Sequence, residues 1–352
     1  MSLGPLSFVP ISRSAGLPER RGLLRTIPPY TRGRVSLGRP HVNGPLLRAP
    51  VLWLTERPWF RRLAAEGSLG RRVALRFVAG ESLDDAMGAA RALDGRGVAT
   101  MLDHLGENVA SAEQASAAAD QYVLALKRVQ ETEELDCNIS VKLTQLGLDV
   151  SYEICMENSE RVLQAAAERG TQVMIDMESH EYVDRTLQAH RELKERYPRV
   201  GVALQSYLYR TADDVSALPP GSTVRLVKGA YLEPPDVAFP RRPDVDRSFA
   251  QIFATLVARG HSVHVATHDP RLIDGSRRVV EDRGAGWGRF EFQMLYGIRR
   301  DLQGRLAGDG YPVRVYVPYG SEWYPYLTRR LAERPANMWF FASQLIRGGG
   351  RR

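Results

Sequence analysis

The sequence predicts an α/β fold, a parallel (βα)8 barrel of the TIM type, and three observations carry that prediction. The length of 352 residues suits one barrel, which takes about 250 residues, with extensions. Eight short β-rich runs alternate with helical patterns, as eight consecutive βα units require. Each run closes on a polar residue, and in such a barrel all eight strand ends open on one mouth. A doubly wound open sheet is the alternative, but it usually has fewer strands and a recognisable switch-point loop.

Residues 1–50 come first, with eight prolines, six glycines and no sustained periodicity. They read as a disordered basic extension. Their Arg-rich, acid-poor composition is that of an organellar transit peptide, but the prolines oppose the amphipathic helix such a peptide needs. A solvated tail is the preferred reading. Residues 51–345 form the folded body, and 346–352 a Gly/Arg-rich tail. The body opens on helical segments, VLWLTERPWFRRLAAEG and then ESLDDAMGAARALDGRG. In the second, Ser82 suits the N-cap, and Asp84 and Asp85 suit the first turn.

The β-rich runs then follow at 98–106, 138–144, 172–177, 200–208, 223–231, 261–269, 289–295 and 312–318. Helical patterns such as ENSERVLQAAAERG and VDRSFAQIFATLVARG separate them, the fourth being short, within TADDVSAL. The last unit ends in YPYLTRRLAERP, with Pro325 in the first turn, where its missing N–H costs little. Arg329 and Arg330 point about 100° apart there, while Tyr326, Arg330 and Glu333 share a face.

The strand-end residues are Asp103, Lys142, Asp176, Gln205, Lys228, His268, Gln293 and Tyr316. Any one of them alone reads as a polar cap facing a loop. Eight together mark a site. Lys142 and Asp176 lie on neighbouring strands and are expected to pair, because burying either charge alone is costly. Arg225 lies inside the fifth strand, three residues before Lys228. Its face is either the lumen, where a bound cofactor is one candidate partner, or the outer side against a helix. Gly229 and Ala230 would let a planar ligand approach the backbone closely.

Several chemistries are disfavoured. GAGWGR (284–289) follows a helix and precedes a strand, the reverse of a dinucleotide loop, and reads as a tight turn. No Walker loop, HExxH or GxSxG motif occurs, and the seven histidines show no metal-ligand spacing. Cys137 and Cys155 suggest a reducing compartment without a disulfide framework. No run of 18 apolar residues exists. The net charge of +7 comes from residues 1–72, whose 13 arginines face three acids, so the rest of the chain sums to −3. A nucleic-acid-binding body is disfavoured. With four lysines against 44 arginines, a lysine at a strand end, as Lys142 and Lys228 are, marks a place where arginine does not serve.

The runs LDHLGENV, ISVKLTQLGLD, VMIDMES, LQSYLYR, RLVKGAYLEPPDVAFP, ATHDPRLI, FEFQMLYG and YPYLTRRLAERPANMW resemble, in order, those of the proline dehydrogenase family. The resemblance spans about residues 60 to 345 and points to the short monofunctional bacterial form. It implies a distorted barrel with N-terminal helices and a final helix over the mouth, holding FAD noncovalently. The activity it implies is oxidation of L-proline to Δ1-pyrroline-5-carboxylate, by hydride transfer from C5 to the flavin N5, with electrons passed to a quinone. A separate pyrroline-5-carboxylate dehydrogenase would consume the product. The implied location is cytoplasmic, with peripheral contact at the inner membrane face as an option.

Residue by residue, the resemblance assigns Asp176 and Arg225 to catalysis. It assigns Lys142, Arg329, Arg330, Tyr326, Tyr316 and Leu295 to the substrate. Met177, Gln205, Arg225, Lys228, Gly229, Ala230, Thr267 and His268 fall to FAD, and Glu107 to a gating pair with Arg329. The bottom-up chemistry agrees: a carboxylate is the handle on proline, and arginine forks grip carboxylates. Two competitors stand beside this reading: a Schiff-base aldolase using Lys142 or Lys228, and a non-catalytic barrel tethered to acidic lipid by the basic N-terminus.

Overall fold

The computed structural model describes residues 75–106, 108–132, 135–168 and 170–333, with side chains as far as Thr328. The expectations placed on residues 1–74, on Glu107, on the side chains of Arg329, Arg330 and Glu333, and on 334–352 lie outside these described residues.

Eight parallel strands close into a barrel in chain order. They are β1 (Ala99–His104), β2 (Cys137–Val141), β3 (Val173–Ile175), β4 (Val200–Gln205), β5 (Thr223–Val227), β6 (Ser262–Ala266), β7 (Phe290–Leu295) and β8 (Val313–Tyr319). Helix α1 (Leu83–Asp94) precedes the barrel. The crossovers are α2 (Ala112–Gln130), α3 (Tyr152–Ala167), α4 (Val183–Arg196), α5 (Thr211–Ser216), α6 (Arg242–Ala258), α7 (Pro270–Asp282) and α8 (Arg300–Gly308). Helix α9 (Trp323–Glu333) follows β8. The eight expected units are therefore all present, and the open-sheet alternative is not what forms. GAGWGR makes a turn and the short 3-10 helix Trp287–Arg289, as expected.

Caps fix where the helices start. Ser82 accepts from the Asp85 backbone N–H, and Asp85 reaches back to the Ser82 N–H, a reciprocal capping box. Ser111, Ser151 and Asp269 cap α2, α3 and α7 one way, accepting from the backbone N–H of Gln114, Ile154 and Arg271.

Alternation within the strands divides the molecule into two interiors. Outward positions such as Leu102, Ile139, Val202, Leu226, Val265, Phe292 and Val315 pack beneath the helices and form one continuous apolar core. Inward positions run otherwise. β8 reads Val313-Arg314-Val315-Tyr316-Val317, valines outward, Arg314 and Tyr316 into the lumen. A barrel lumen is ordinarily filled by branched apolar side chains, whereas here it carries Asp103, Lys142, Arg225, His264 and Arg314. Side chains that cost this much to bury must all find partners, and those partners define two layers.

The layer nearer the strand starts is gathered around Arg314, with Gln293 Oε1 a buried acceptor that has no donor among the described groups. Arg314 Nε donates to Glu291 Oε1 and Oε2 at 2.9 and 3.1 Å. Its Nη1 donates to the Thr100 carbonyl at 2.9 Å, and its two Nη groups hold Asp136 Oδ1 and Oδ2 at 2.9 and 3.2 Å. Gln293 joins this layer, donating to Glu291 at 2.6 Å and lying 2.9 Å from His264 Nδ1. Gln293 was expected at the mouth. It sits mid-strand instead, because its inward face meets His264 and Glu291 first. Burial, opposed by Glu291, pushes His264 down to about 4, so it is neutral here.

Candidate active site

The layer nearer the mouth is built from inward residues in the middle of β5 and β8 and at or just past the ends of β1, β2 and β3. Asp103 is on β1, Ser140 on β2 with Lys142 directly after it, Asp176 directly after β3, Arg225 on β5 and Tyr316 on β8. Parallel pairing sets Asp103 beside Ser140, and Ser140 beside Met174, so short side chains reach one another across the lumen.

Asp176 gathers the donors. Ser140 Oγ donates to its Oδ1 at 2.7 Å, Arg225 Nη2 pairs with the same oxygen, and Tyr316 donates its hydroxyl to Oδ2 at 2.8 Å. Arg225 also reaches Ser140 Oγ at 3.1 Å and Met101 Sδ at 3.2 Å, and its guanidinium carbon lies 5.3 Å from the Tyr316 ring centroid. Arg225 thus faces the lumen, and the outward alternative is set aside. Burial pulls its guanidinium below the usual arginine value. The Tyr316 phenol is pushed well up by burial and then by the charge of Asp103.

Lys142 meets the expected Asp176 and adds a nearer partner. Its Nζ lies 3.7 Å from Asp176 Oδ2, at the edge of an ion pair, but 2.7 Å from Asp103 Oδ1. Asp103 is its nearer partner. The group holds two carboxylates and two cations, which makes it charge-balanced, as burial demands. One atom is left over: Asp103 Oδ2 is buried and accepts from no donor among the described groups.

The remaining expected residues ring this group. Gln205 donates to the Met177 and Glu178 carbonyls at 3.3 and 3.1 Å, tying the β3 and β4 ends together, while its Oε1 is buried without a donor among the described groups. Lys228 Nζ bonds Asp246 at 2.6 Å and Asp269 at 3.2 Å. Burial works to raise Asp269, but Arg271 and Lys228 outweigh it and hold that carboxyl at about 2. Thr267 Oγ1 accepts from the Asp269 N–H at 3.2 Å, and His268 Nε2 accepts from the Leu295 N–H at 3.0 Å. Leu295 is half-buried at the end of β7. Tyr326 of α9 is buried.

Gly229 has a reason in the fold besides the ligand approach expected of it. Its φ of +121° is open only to glycine, and a Cβ there would stand 2.3 Å from the Tyr207 ring. The close approach is by Tyr207, whose hydroxyl continues to Glu233 at 3.2 Å. Ala230 follows as the backbone leaves β5.

Sequence reasoning missed the layer around Arg314 and the Asp103–Lys142 bond. A signal for the first was present: in PVRVYVP, Arg314 shares the face of Tyr316, and in RFEFQML, Glu291 shares that of Gln293. Among the described residues, no group of three His, Cys, Asp or Glu side chains could hold a metal ion. No described helix is long and apolar enough to cross a membrane.

Comparison with known proteins points one way. The profile of the family described as proline dehydrogenase matches residues 86–343. The chain is 41% identical over 309 residues to proline dehydrogenase of Deinococcus radiodurans, covering 86% of this chain and 99% of that one. It is 38% identical over 293 residues to proline dehydrogenase 2 of Bacillus subtilis strain 168, covering 82% and 95%. Among solved structures, proline utilization A (PutA) of Bdellovibrio bacteriovorus superposes with a TM-score of 0.71 at 23% identity. That match covers 82% of this chain and 36% of the longer PutA chain, and it shows the shared barrel fold.

Proposed function

The chain belongs to the proline dehydrogenase family and is an oxidoreductase acting on proline, and from this premise we propose how its barrel mouth carries out the reaction. L-Proline binds over the mouth layer and leaves as Δ1-pyrroline-5-carboxylate, with FAD as the cofactor and a quinone as the final acceptor. The observation that carries the proposal is the charge-balanced set Asp103, Lys142, Asp176 and Arg225 closed by Tyr316. Asp103, Lys142 and Arg225 are buried, Asp176 and Tyr316 are partly exposed, and the set has an acceptor oxygen to spare.

The residues present suit a flavin. A buried Gln205 Oε1 without a donor fits a ring that brings N–H groups, and Arg225 is a buried cation able to oppose the charge that a reduced flavin gains. Met177, Gln205, Arg225, Gly229, Ala230, Thr267 and His268 would hold it, with Lys228 through its carboxylate pair. When bound, FAD supplies the two-electron acceptor for the hydride leaving C5.

The chain's own residues do the rest. Lys142 offers its ammonium to the substrate carboxylate, and Asp103 and Asp176 hold that ammonium in place. Arg329 and Arg330 of α9 are assigned to grip the same carboxylate. Tyr316, Tyr326 and Leu295 pack the ring and exclude water. A fixed carboxylate orients C5 for transfer, where a near-attack geometry is worth several powers of ten in rate.

The test is an absorbance spectrum of the purified protein before and after anaerobic L-proline. A yellow protein that bleaches is expected. A colourless protein that takes up no added FAD would sink the flavin assignment, and an unbleached yellow one the hydride assignment. Electrons passing to a quinone would be read separately, as proline-dependent reduction of a soluble quinone. The product is the substrate for the separate dehydrogenase expected to follow.

A further inference from the structure

Hydride cannot leave C5 of a protonated amine, because the electron pair that forms C=N must first be free on nitrogen. Free proline carries an ammonium near neutral pH, so the site needs a proton acceptor. Two carboxylates border the Lys142 ammonium, and their surroundings differ. Asp176 already receives Ser140 and Arg225 on one oxygen and Tyr316 on the other. Asp103 receives Lys142 on Oδ1 and is also engaged by the Tyr316 phenol, while its Oδ2 has no donor within hydrogen-bond distance among the described groups. Asp103 is also 0% exposed, so no bulk water fills that place.

We infer that Asp103 Oδ2 takes the proton from the ring nitrogen of the bound substrate, an inference that rests on the substrate placement proposed above. In the step, one N–H bond breaks, its electron pair stays on nitrogen, and a new O–H bond forms on Asp103. A zwitterion becomes a neutral amine beside a neutral acid, with no net change in charge. A dry site favours that outcome, because separated charges lose their hydration there. The position is suitable: Lys142, which meets the substrate carboxylate, is 2.7 Å from Asp103 Oδ1, and the ring nitrogen is one carbon away from that carboxylate. The groups facing Asp103 are Lys142 from β2, Asp176 following β3, Arg225 from β5, Tyr316 and Tyr319 from β8, Tyr122 from α2 and the adjacent His104. Burial lowers His104, and burial raises all three tyrosines, so these four are neutral and leave Asp103 as the group with the open acceptor. The proton returns to water when product leaves.

The experiment follows flavin bleaching of the holoenzyme by L-proline after rapid anaerobic mixing, from about pH 6.5 to about pH 9. The native enzyme should hold a broad plateau. Asp103→Asn should be slower by roughly 100-fold or more near neutral pH, and its rate should climb about tenfold per pH unit, tracking the fraction of proline already neutral at nitrogen. Asp103→Glu should recover part of the plateau. In parallel, equilibrium dialysis measures binding of cyclopentanecarboxylate, which has the ring and carboxylate but no amine; its affinity should survive in Asp103→Asn. A native-like plateau in the Asn variant overturns the inference. So does a lost affinity for cyclopentanecarboxylate with an unchanged pH profile, which would make Asp103 only a holder of Lys142. Either result, with the native enzyme bleached by proline, leaves the proposed function standing. A native enzyme that proline does not bleach overturns both.

Discussion

Two arginines occupy the same lumen, and their environments differ. Arg314, near the strand starts, has its Nε and both Nη groups committed to Glu291, the Thr100 carbonyl and Asp136. Burial opposes its charge, but Glu291 and Asp136 outweigh that, and the guanidinium is raised above its ordinary value. Arg225, nearer the mouth, donates to a thioether and a hydroxyl and pairs with one carboxylate that three other groups also engage. Burial wins there, and its value falls. A buried charge alone therefore does not mark a catalytic centre. Both networks leave a buried acceptor without a donor among the described groups, Gln293 Oε1 near the strand starts and Asp103 Oδ2 nearer the mouth, and only the second borders the residues assigned to the substrate.

The largest effect that would break this contrast is on stability. Arg314→Met leaves Glu291 buried with only Gln293 and neutral His264 beside it. Removing one partner of a buried pair costs about 3–5 kcal/mol, or on the order of 10 °C in melting temperature for a domain of this size. Thermal unfolding measures it, and kcat/KM per folded molecule should change little. If Arg314→Met instead melts like the native protein but loses turnover, the layer around Arg314 takes part in catalysis and the division into two layers fails.

Arg225→Met is expected to do the reverse. Asp176 keeps Ser140, Tyr316 and Lys142, so the fold should persist. The loss should appear in kcat, by roughly 100- to 1,000-fold, as when a preorganised donor is removed from a developing charge. Stopped-flow bleaching by proline, with flavin content measured alongside, separates a slower step from a lost cofactor. Next in size is Lys142→Met. A charge-assisted hydrogen bond to the substrate carboxylate is worth about 1.5–3 kcal/mol, so KM for proline should rise roughly 10- to 100-fold. A changed kcat with KM intact would place Lys142 away from the carboxylate.

How much of this was readable beforehand follows from which physical rule was in play. The barrel followed from counting βα units, since each crossover is local and each strand is punctuated by turns. Lys142, Asp176 and Tyr316 were readable as polar residues closing apolar strands, Arg225 only as a charge inside a strand whose face stayed open, and the structure brings all four together. Asp103 was noticed but not as the nearer partner of Lys142, because that choice depends on the closure of β1 against β2 to within an ångström. Gln293 was misplaced for a related reason: sequence distance from the strand end does not give height in a tilted barrel. Gly229 shows the same limit, since nothing local announces that Tyr207 will lie against it.

The smallest effect concerns a histidine in neither layer. His190 on α4 is fully buried, and neither ring nitrogen has a partner among the described groups. Burial, with Lys194 and Arg191 adding to it, pushes its value down to about 4 from an ordinary 6.5. The folded state therefore binds fewer protons than the unfolded state between those two values. The stability present above about pH 6.5 is lost as pH falls toward about 4, at about 1.4 kcal/mol for each pH unit. His264, in the layer around Arg314, is held at about 4 and acts in the same window. His190→Leu removes two unsatisfied polar atoms and keeps most of the volume, so near pH 7.5 its effect should stay under about 1.5 kcal/mol. Between pH 7.5 and pH 5 the variant should gain about 2 kcal/mol on the native protein, because the unfolded native chain binds a proton there that the variant cannot. Urea midpoints at the two pH values measure both numbers. His264→Leu should not reproduce the gain, since it would strand Gln293 and loosen Glu291 within the network that Arg314 gathers. Equal acid tolerance in the two variants would mean that the layer around Arg314 has slack, and the contrast with the mouth would rest on the position of Asp103 Oδ2 alone.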